Sequence, residues 1–98
     1  MNATGPGPTS SSPSAGHHIA TVSHDGRFWD VYVEFEDDPR RPDMYRALLS
    51  YSPADPGDDE QAVRTGVIII EDSFEEVMMK ARSLRDVQLQ ALLRSAEP

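Results

Sequence analysis

The stretch His17–Phe35, HHIATVSHDGRFWDVYVEF, decides the fold of this chain. Its Asp25-Gly26 dipeptide lies between two runs rich in β-branched and aromatic residues. Asp-Gly supplies the positive φ angles of a type I′ turn, the tightest hairpin connection, so we predict a hairpin with a two-residue loop. The predicted cross-strand pairs are His24 with Arg27, Val22 with Trp29, Ala20 with Val31, and His18 with Val33.

The second strand of this hairpin indicates which face is buried. Trp29, Val31, Val33 and Phe35 alternate strictly with more polar residues, as on a strand with one buried face. We therefore assign this set to the core. The opposite face is predicted to carry Ile19, Thr21 and Ser23 from the first strand and Phe28, Asp30 and Tyr32 from the second.

Two more strands are predicted after the hairpin. Residues 44–51, MYRALLSY, form the third and residues 63–71, VRTGVIIIE, form the fourth, with polar, proline-containing loops before each. The run Val67–Ile70 has no polar alternate, and this predicts that both of its faces are covered.

A helix follows the strands. Ser73 and Glu76 form a capping-box pattern at its start. Arg85 and Gln88 interrupt the apolar stripe of this helix, so we expect a break within 83–86. Asp86 is then expected to cap a second helix. The alternative is one straight helix to about Ser95. The first stripe holds Phe74, Val77, Met78, Ala81 and Leu84, and a second holds Leu89, Leu92 and Leu93.

These elements predict an α+β fold, a four-stranded antiparallel meander (β-β-β-β-α) with the C-terminal helix packed on one face. Residues 1–16 contain no charge and almost no apolar side chain, so they are predicted to be a disordered tail before a single domain, 17–98. No apolar run approaches the ~20 residues of a membrane span. The start of the sequence lacks the pattern of a signal peptide, so a soluble, cytoplasmic protein is expected.

Composition and motifs exclude most chemistry. The chain has 98 residues, a formal net charge of −8 and no cysteine, which excludes disulfides and thiolate sites. The adjacent His17 and His18 point to opposite faces and His24 flanks the turn, so no metal site is predicted. The acidic loop, residues 52–62, lacks EF-hand spacing and is read as solvated. With no catalytic constellation or phosphate loop, neither enzymatic activity nor a cofactor is expected.

A protein partner is the function that the pattern favours. The second sheet face, which includes one side of Val67–Ile70, carries enough apolar side chains that a monomer would expose them. A homodimer is the commonest partner that would cover such a face. Alternatively, the C-terminal leucines fold back over that face. The predicted interface residues are Ile19, Phe28, Tyr32, Met44 and Leu48.

Nucleic-acid binding is the alternative function. The net charge has the wrong sign for it, but the C-terminal half of the helical region is locally basic and aromatic residues of the sheet offer stacking surfaces. The residues that would contact nucleic acid are Lys80, Arg82, Arg85 and Arg94.

Overall fold

The computed structural model describes residues 16–98 and has the predicted α+β architecture. The predicted tail, residues 1–16, lies outside the described residues except for Gly16, so its disorder stays a prediction. β1, β2 and β3 are successive antiparallel neighbours, and β4 and β5 both pair antiparallel with β3. Within 16–98 the elements are β1 His17–His24, β2 Arg27–Glu36, β3 Tyr45–Pro53, β4 Val63–Arg64, β5 Ile69–Glu71, α1 Phe74–Arg82 and α2 Asp86–Ala96.

The hairpin between β1 and β2 has the predicted two-residue turn. Asp25 and Gly26 have φ angles of 54° and 75°, as a type I′ turn requires. The pair of Val22 with Trp29 is confirmed, as are the pairs of His24 with Arg27 and Ala20 with Val31.

The register of β1 changes before Ala20. A β-bulge between His18 and Ala20 pairs His18 with Tyr32, so the predicted pair with Val33 is wrong. An extra residue in one strand turns the following side chains to the other face. Ile19 consequently packs against the buried core, and its predicted place on the opposite face is wrong.

The predicted fourth strand is two short strands. Between β4 and β5 the chain keeps contact with β3 through Thr65, whose backbone N–H donates to Leu49 O and whose hydroxyl accepts from Leu49 N. The prediction that both faces of Val67–Ile70 are covered is wrong. Ile69 is buried, whereas Ile68 and Ile70 are 41% and 48% exposed.

The predicted break in the helical region is confirmed, and it separates α1 from α2. Ser73 Oγ accepts from the backbone N–H of Glu76 at 3.1 Å and caps α1. The predicted capping role of Asp86 is wrong, because Arg85 is the N-cap and its backbone N–H donates to Gln88 Oε1.

Both helices cover the same face of the sheet. Tyr51, buried on that face, donates a 2.8 Å hydrogen bond from its hydroxyl to Leu89 O in α2. Leu89 and Leu93 are buried in this core and Leu92 packs against it, so the C-terminal leucines do not cover the second face. The buried apolar side chains are Val22, Trp29, Val31, Val33, Ala47, Leu49, Tyr51, Ile69, Val77, Met78, Ala81, Leu89 and Leu93.

The acidic loop between β3 and β4 is held against β2 by Arg27, which also donates to Asp55 O. Arg27 donates hydrogen bonds of 2.7 and 2.8 Å to the two carboxylate oxygens of Glu60. These bonds, together with one from the backbone N–H of Gly57, lower the pKa of Glu60 to about 2. Neither helix within 16–98 has the length and hydrophobicity that crossing a membrane requires.

Candidate functional site

The candidate site is the sheet face that the helices leave uncovered, which we call the open face. Residues of β2 and β3 that alternate with the buried ones point to this side. The short strands add Arg64, which pairs with Ser50, and Ile70, which pairs with Arg46. The open face comprises His18, Thr21, Ser23, Phe28, Asp30, Tyr32, Glu34, Glu36, Arg46, Leu48, Ser50, Ser52, Arg64 and Ile70.

The structure brings three of the five predicted interface residues together on the open face. Phe28 is 65% exposed, and Tyr32 and Leu48 are half-buried. Met44 precedes β3 and is half-buried at the rim of the sheet. Ile19, as described above, lies on the covered side.

The sequence placed one side of Val67–Ile70 on the second sheet face but did not show which residues of this run belong to the interface. The pairing of Ile70 with Arg46 assigns Ile70 to the open face. This pairing belongs to β5, and the sequence did not indicate that the predicted fourth strand is divided into β4 and β5. Phe28 and Ile70 lie towards opposite ends of the face. The eight residue steps along β2 from Phe28 to Glu36, which pairs with Arg46, span about 26 Å.

Charged side chains between these two ends each have a hydrogen-bonding or oppositely charged neighbour. Asp30 accepts a 2.7 Å hydrogen bond from the Thr21 hydroxyl and lies 3.3 Å from His18 Nε2. Arg64 Nε donates to Glu34 at 2.9 Å. At the far end, an Arg46 nitrogen lies 3.9 Å from a Glu36 carboxylate oxygen. The open face thus contains two arginines and three carboxylates, so it contributes little to the formal net charge of −8 of the whole chain.

The middle of the open face contains a small cavity but no activated nucleophile among the described residues. Ser50 is buried there, between its cross-strand neighbours Tyr32 and Arg64. The histidine in the same row, His18, pairs with the far side of Tyr32. Two strand spacings, about 9.6 Å, separate His18 from Ser50, which is too far for the hydrogen bond that activates a serine.

The basic residues predicted to contact nucleic acid lie on the helical side of the molecule. Lys80 is ion-paired with Glu71, and this hydrogen-bonded partner raises the pKa of Lys80. Arg82, Arg85 and Arg94 are exposed. Of the sheet aromatics, Trp29 and Tyr51 are buried in the core, and Phe28 and Tyr32 belong to the open face. Tyr45 is 43% exposed and lies on the same side of β3 as the buried Ala47. Phe28 and Tyr32 therefore do not share a surface with these basic residues.

A separate cluster of potential metal ligands lies at the hairpin turn. His24 Nε2 lies 2.9 Å from Glu97 Oε1 and 3.4 Å from Asp25 Oδ2, and all three ligand atoms fall within 4.8 Å of one another. Asp25 is supplied by the turn and Glu97 by the end of α2, where it is the C-cap. From the sequence, the three histidines and the acidic loop were weighed as metal sites, and a histidine–carboxylate site was left open without its residues being named. Sequence reasoning missed this cluster because 73 residues separate His24 from Glu97.

No family model matches this sequence, and neither the curated proteins nor the solved structures contain a significant match. The function is therefore inferred from the geometry of this chain alone.

Proposed function

We propose that this protein is a small non-catalytic interaction module that forms a homodimer through its open face. The observation that carries the proposal is the arrangement of that face. Exposed apolar side chains lie at its two ends, and the charged side chains between them each have a hydrogen-bonding or oppositely charged neighbour. A protein that covers this surface leaves those neighbours in place, which reduces the cost of removing the charges from water.

A second copy of the chain fits this arrangement. A two-fold axis in the plane of the interface, through the midpoint between Phe28 and Ile70 and perpendicular to the line that joins them, places each Phe28 against Ile70 of the partner subunit. The same apolar contact then forms twice, as it does in any isologous interface. Tyr32 and Leu48 lie near this midpoint and would form the centre of the contact.

The charge of the open face opposes dimerisation only weakly. Two chains of formal net charge −8 repel each other, but the open face contributes little to that charge and salt screens the remainder over about 8–10 Å. Fully burying Phe28 or Ile70 contributes roughly 1.5–3 kcal/mol for each side chain, before the costs of association. Four such side chains across the interface are compatible with dimerisation in the micromolar range.

Sedimentation equilibrium of the full chain tests the proposal. The wild type is expected to be a dimer that dissociates on dilution. Phe28→Asp places two carboxylates in the interface and should give a monomer over the same concentration range. Val87→Asp is the matched control: Val87 is 67% exposed, much like Phe28, but lies on α2 on the other side of the sheet. This variant should still form the dimer.

A wild-type chain that stays monomeric at high concentration would overturn the proposal, as would equal loss of the dimer in both variants. Circular dichroism of each variant shows that the change in mass does not reflect unfolding.

The nucleic-acid alternative and the cytoplasmic location stay predictions. No specific contact within 16–98 favours nucleic-acid binding.

A further inference from the structure

We propose that His24, Asp25 and Glu97 bind a zinc ion or a chemically similar divalent transition-metal ion. This site lies at the hairpin turn and the C-terminal end of α2, and it does not depend on the homodimer. Three ligand atoms, one from each side chain, already lie together.

The spacing of these atoms fits a tetrahedral ion. Zinc lies about 2.0–2.2 Å from imidazole nitrogen and carboxylate oxygen, so two of its ligand atoms lie about 3.4 Å apart. His24 Nε2 lies 3.4 Å from Asp25 Oδ2 and 2.9 Å from Glu97 Oε1. These two distances are within about 0.5 Å of that value. The Asp25 and Glu97 oxygens lie within 4.8 Å of each other, so rotation of the Asp25 side chain can complete the set of three ligands.

The backbone around the cluster is held in place. Trp29 Nε1 donates a 3.2 Å hydrogen bond to His24 O, and the ring of His24 is packed so that its side chain is only 11% exposed. Asp25 is fixed by the type I′ turn and Glu97 by the end of α2, whose Leu93 O accepts from the Glu97 N–H. The backbone of all three residues and the ring of His24 are therefore in place before the ion binds, whereas the Asp25 side chain is 77% exposed and can turn towards the ion.

The ligand types select the class of ion. One imidazole with two carboxylates suits zinc and its neighbours in the first transition row, whereas calcium and magnesium prefer oxygen ligands alone. Two carboxylates beside one imidazole also leave a negative charge that a divalent cation neutralises. With three protein ligands, a fourth position remains for water or for a group from a partner.

Binding would connect the turn of the β1–β2 hairpin to the end of the last helix. These two segments are 73 residues apart in sequence and are joined in this region by the His24–Glu97 hydrogen bond. An ion that binds the folded arrangement and not the unfolded chain stabilises the fold in proportion to its concentration. The site thus predicts a melting temperature that rises with zinc concentration.

Titration of zinc into the untagged, chelator-treated full chain, followed by calorimetry near pH 7, tests the site. We expect saturation at one ion per chain. Glu97→Gln and Asp25→Asn remove one ligand charge each and should weaken zinc binding about tenfold or more. Asp25→Asn also keeps a dipeptide that favours the type I′ turn, so its effect does not arise from a lost hairpin.

His18→Asn is the matched control. His18 also lies beside a carboxylate, 3.3 Å from Asp30, but it is outside the cluster, and zinc affinity should be unchanged in this variant. A second measurement uses cobalt as the probe. Trp29 is the only tryptophan of the chain, and its ring centroid lies 6.5 Å from that of His24. Bound cobalt should quench Trp29 fluorescence in the wild type and in His18→Asn, and much less in Glu97→Gln.

Three results would each overturn the proposal: no saturable zinc binding by the wild type, binding that Glu97→Gln and Asp25→Asn leave unchanged, or binding that His18→Asn abolishes. The last result would place the ion on the open face instead. Circular dichroism of the metal-free variants confirms that each one is folded before the ion is added.

Discussion

The two faces of β2 are built from one alternating sequence and differ in almost every physical respect. Trp29, Val31 and Val33 are buried beneath the helices, whereas Phe28 on the other side is largely exposed. The covered face is held by apolar packing. The open face is organised by hydrogen bonds and ion pairs such as Glu34 with Arg64. Stability is therefore expected to depend on one face, and recognition on the other.

Two adjacent leucines of β3 provide the most direct test of this difference between the two faces. Leu49 is fully buried on the covered face and Leu48 is half-buried on the open face. Leu49→Ala should lower the free energy of unfolding by about 2–5 kcal/mol, because it leaves a cavity that the core cannot fill. Leu48→Ala should lower it much less, by about 1 kcal/mol. Urea unfolding at low protein concentration, where a dimer is dissociated, measures both values.

Equal losses in Leu48→Ala and Leu49→Ala would show that the two faces contribute alike to stability. A large loss confined to high protein concentration in Leu48→Ala would instead assign that residue to the dimer interface.

Alkaline pH tests the covered face through Tyr51. Burial raises the pKa of Tyr51 from 10 to about 12, because ionisation would place a charge in the core. The unfolded chain then loses this proton at lower pH than the folded chain. The contribution to stability is fully present below pH 10 and is lost as the pH rises through 12, by about 2–3 kcal/mol.

Tyr51→Phe removes this ionisation and should flatten the fall in unfolding free energy between pH 10 and 12. The same variant also loses the hydrogen bond to Leu89 O, so its stability near neutral pH should be about 1 kcal/mol lower. Tyr32→Phe, on the open face, is the matched control and should keep the alkaline fall. Denaturant unfolding across this pH range distinguishes the two variants.

The smallest expected effect concerns the ion pair of Glu34 with Arg64 on the open face. Glu34→Gln should lower the free energy of unfolding by about 1 kcal/mol or less, because the guanidinium stays hydrated and salt screens the pair. The difference from wild type should shrink further in concentrated sodium chloride. A salt-independent loss of several kcal/mol would mean that the open face is as important for stability as the core.

Local sequence was sufficient where the chemistry of neighbouring residues decides the structure. Asp25-Gly26 favours one turn type, and that turn fixes the register of Val22 with Trp29. Ser73 caps α1, and the failure of the first apolar stripe at Arg85 separates α1 from α2. Because these signals act within a few residues, they predicted the hairpin, the core face of β2 and the helix break correctly.

Contacts between distant segments were decided only by the tertiary structure. The bulge that turns Ile19 towards the core depends on what packs over β1, and the division of the fourth strand depends on its pairing with β3. Of the candidate sites, the sequence indicated Phe28, Tyr32 and Leu48 on one face because alternation within a strand is a local rule. The sequence did not predict that Glu97 lies beside His24. The packing of α2 across the sheet brings these two residues together, and no periodic pattern in the sequence indicates a contact between residues so far apart.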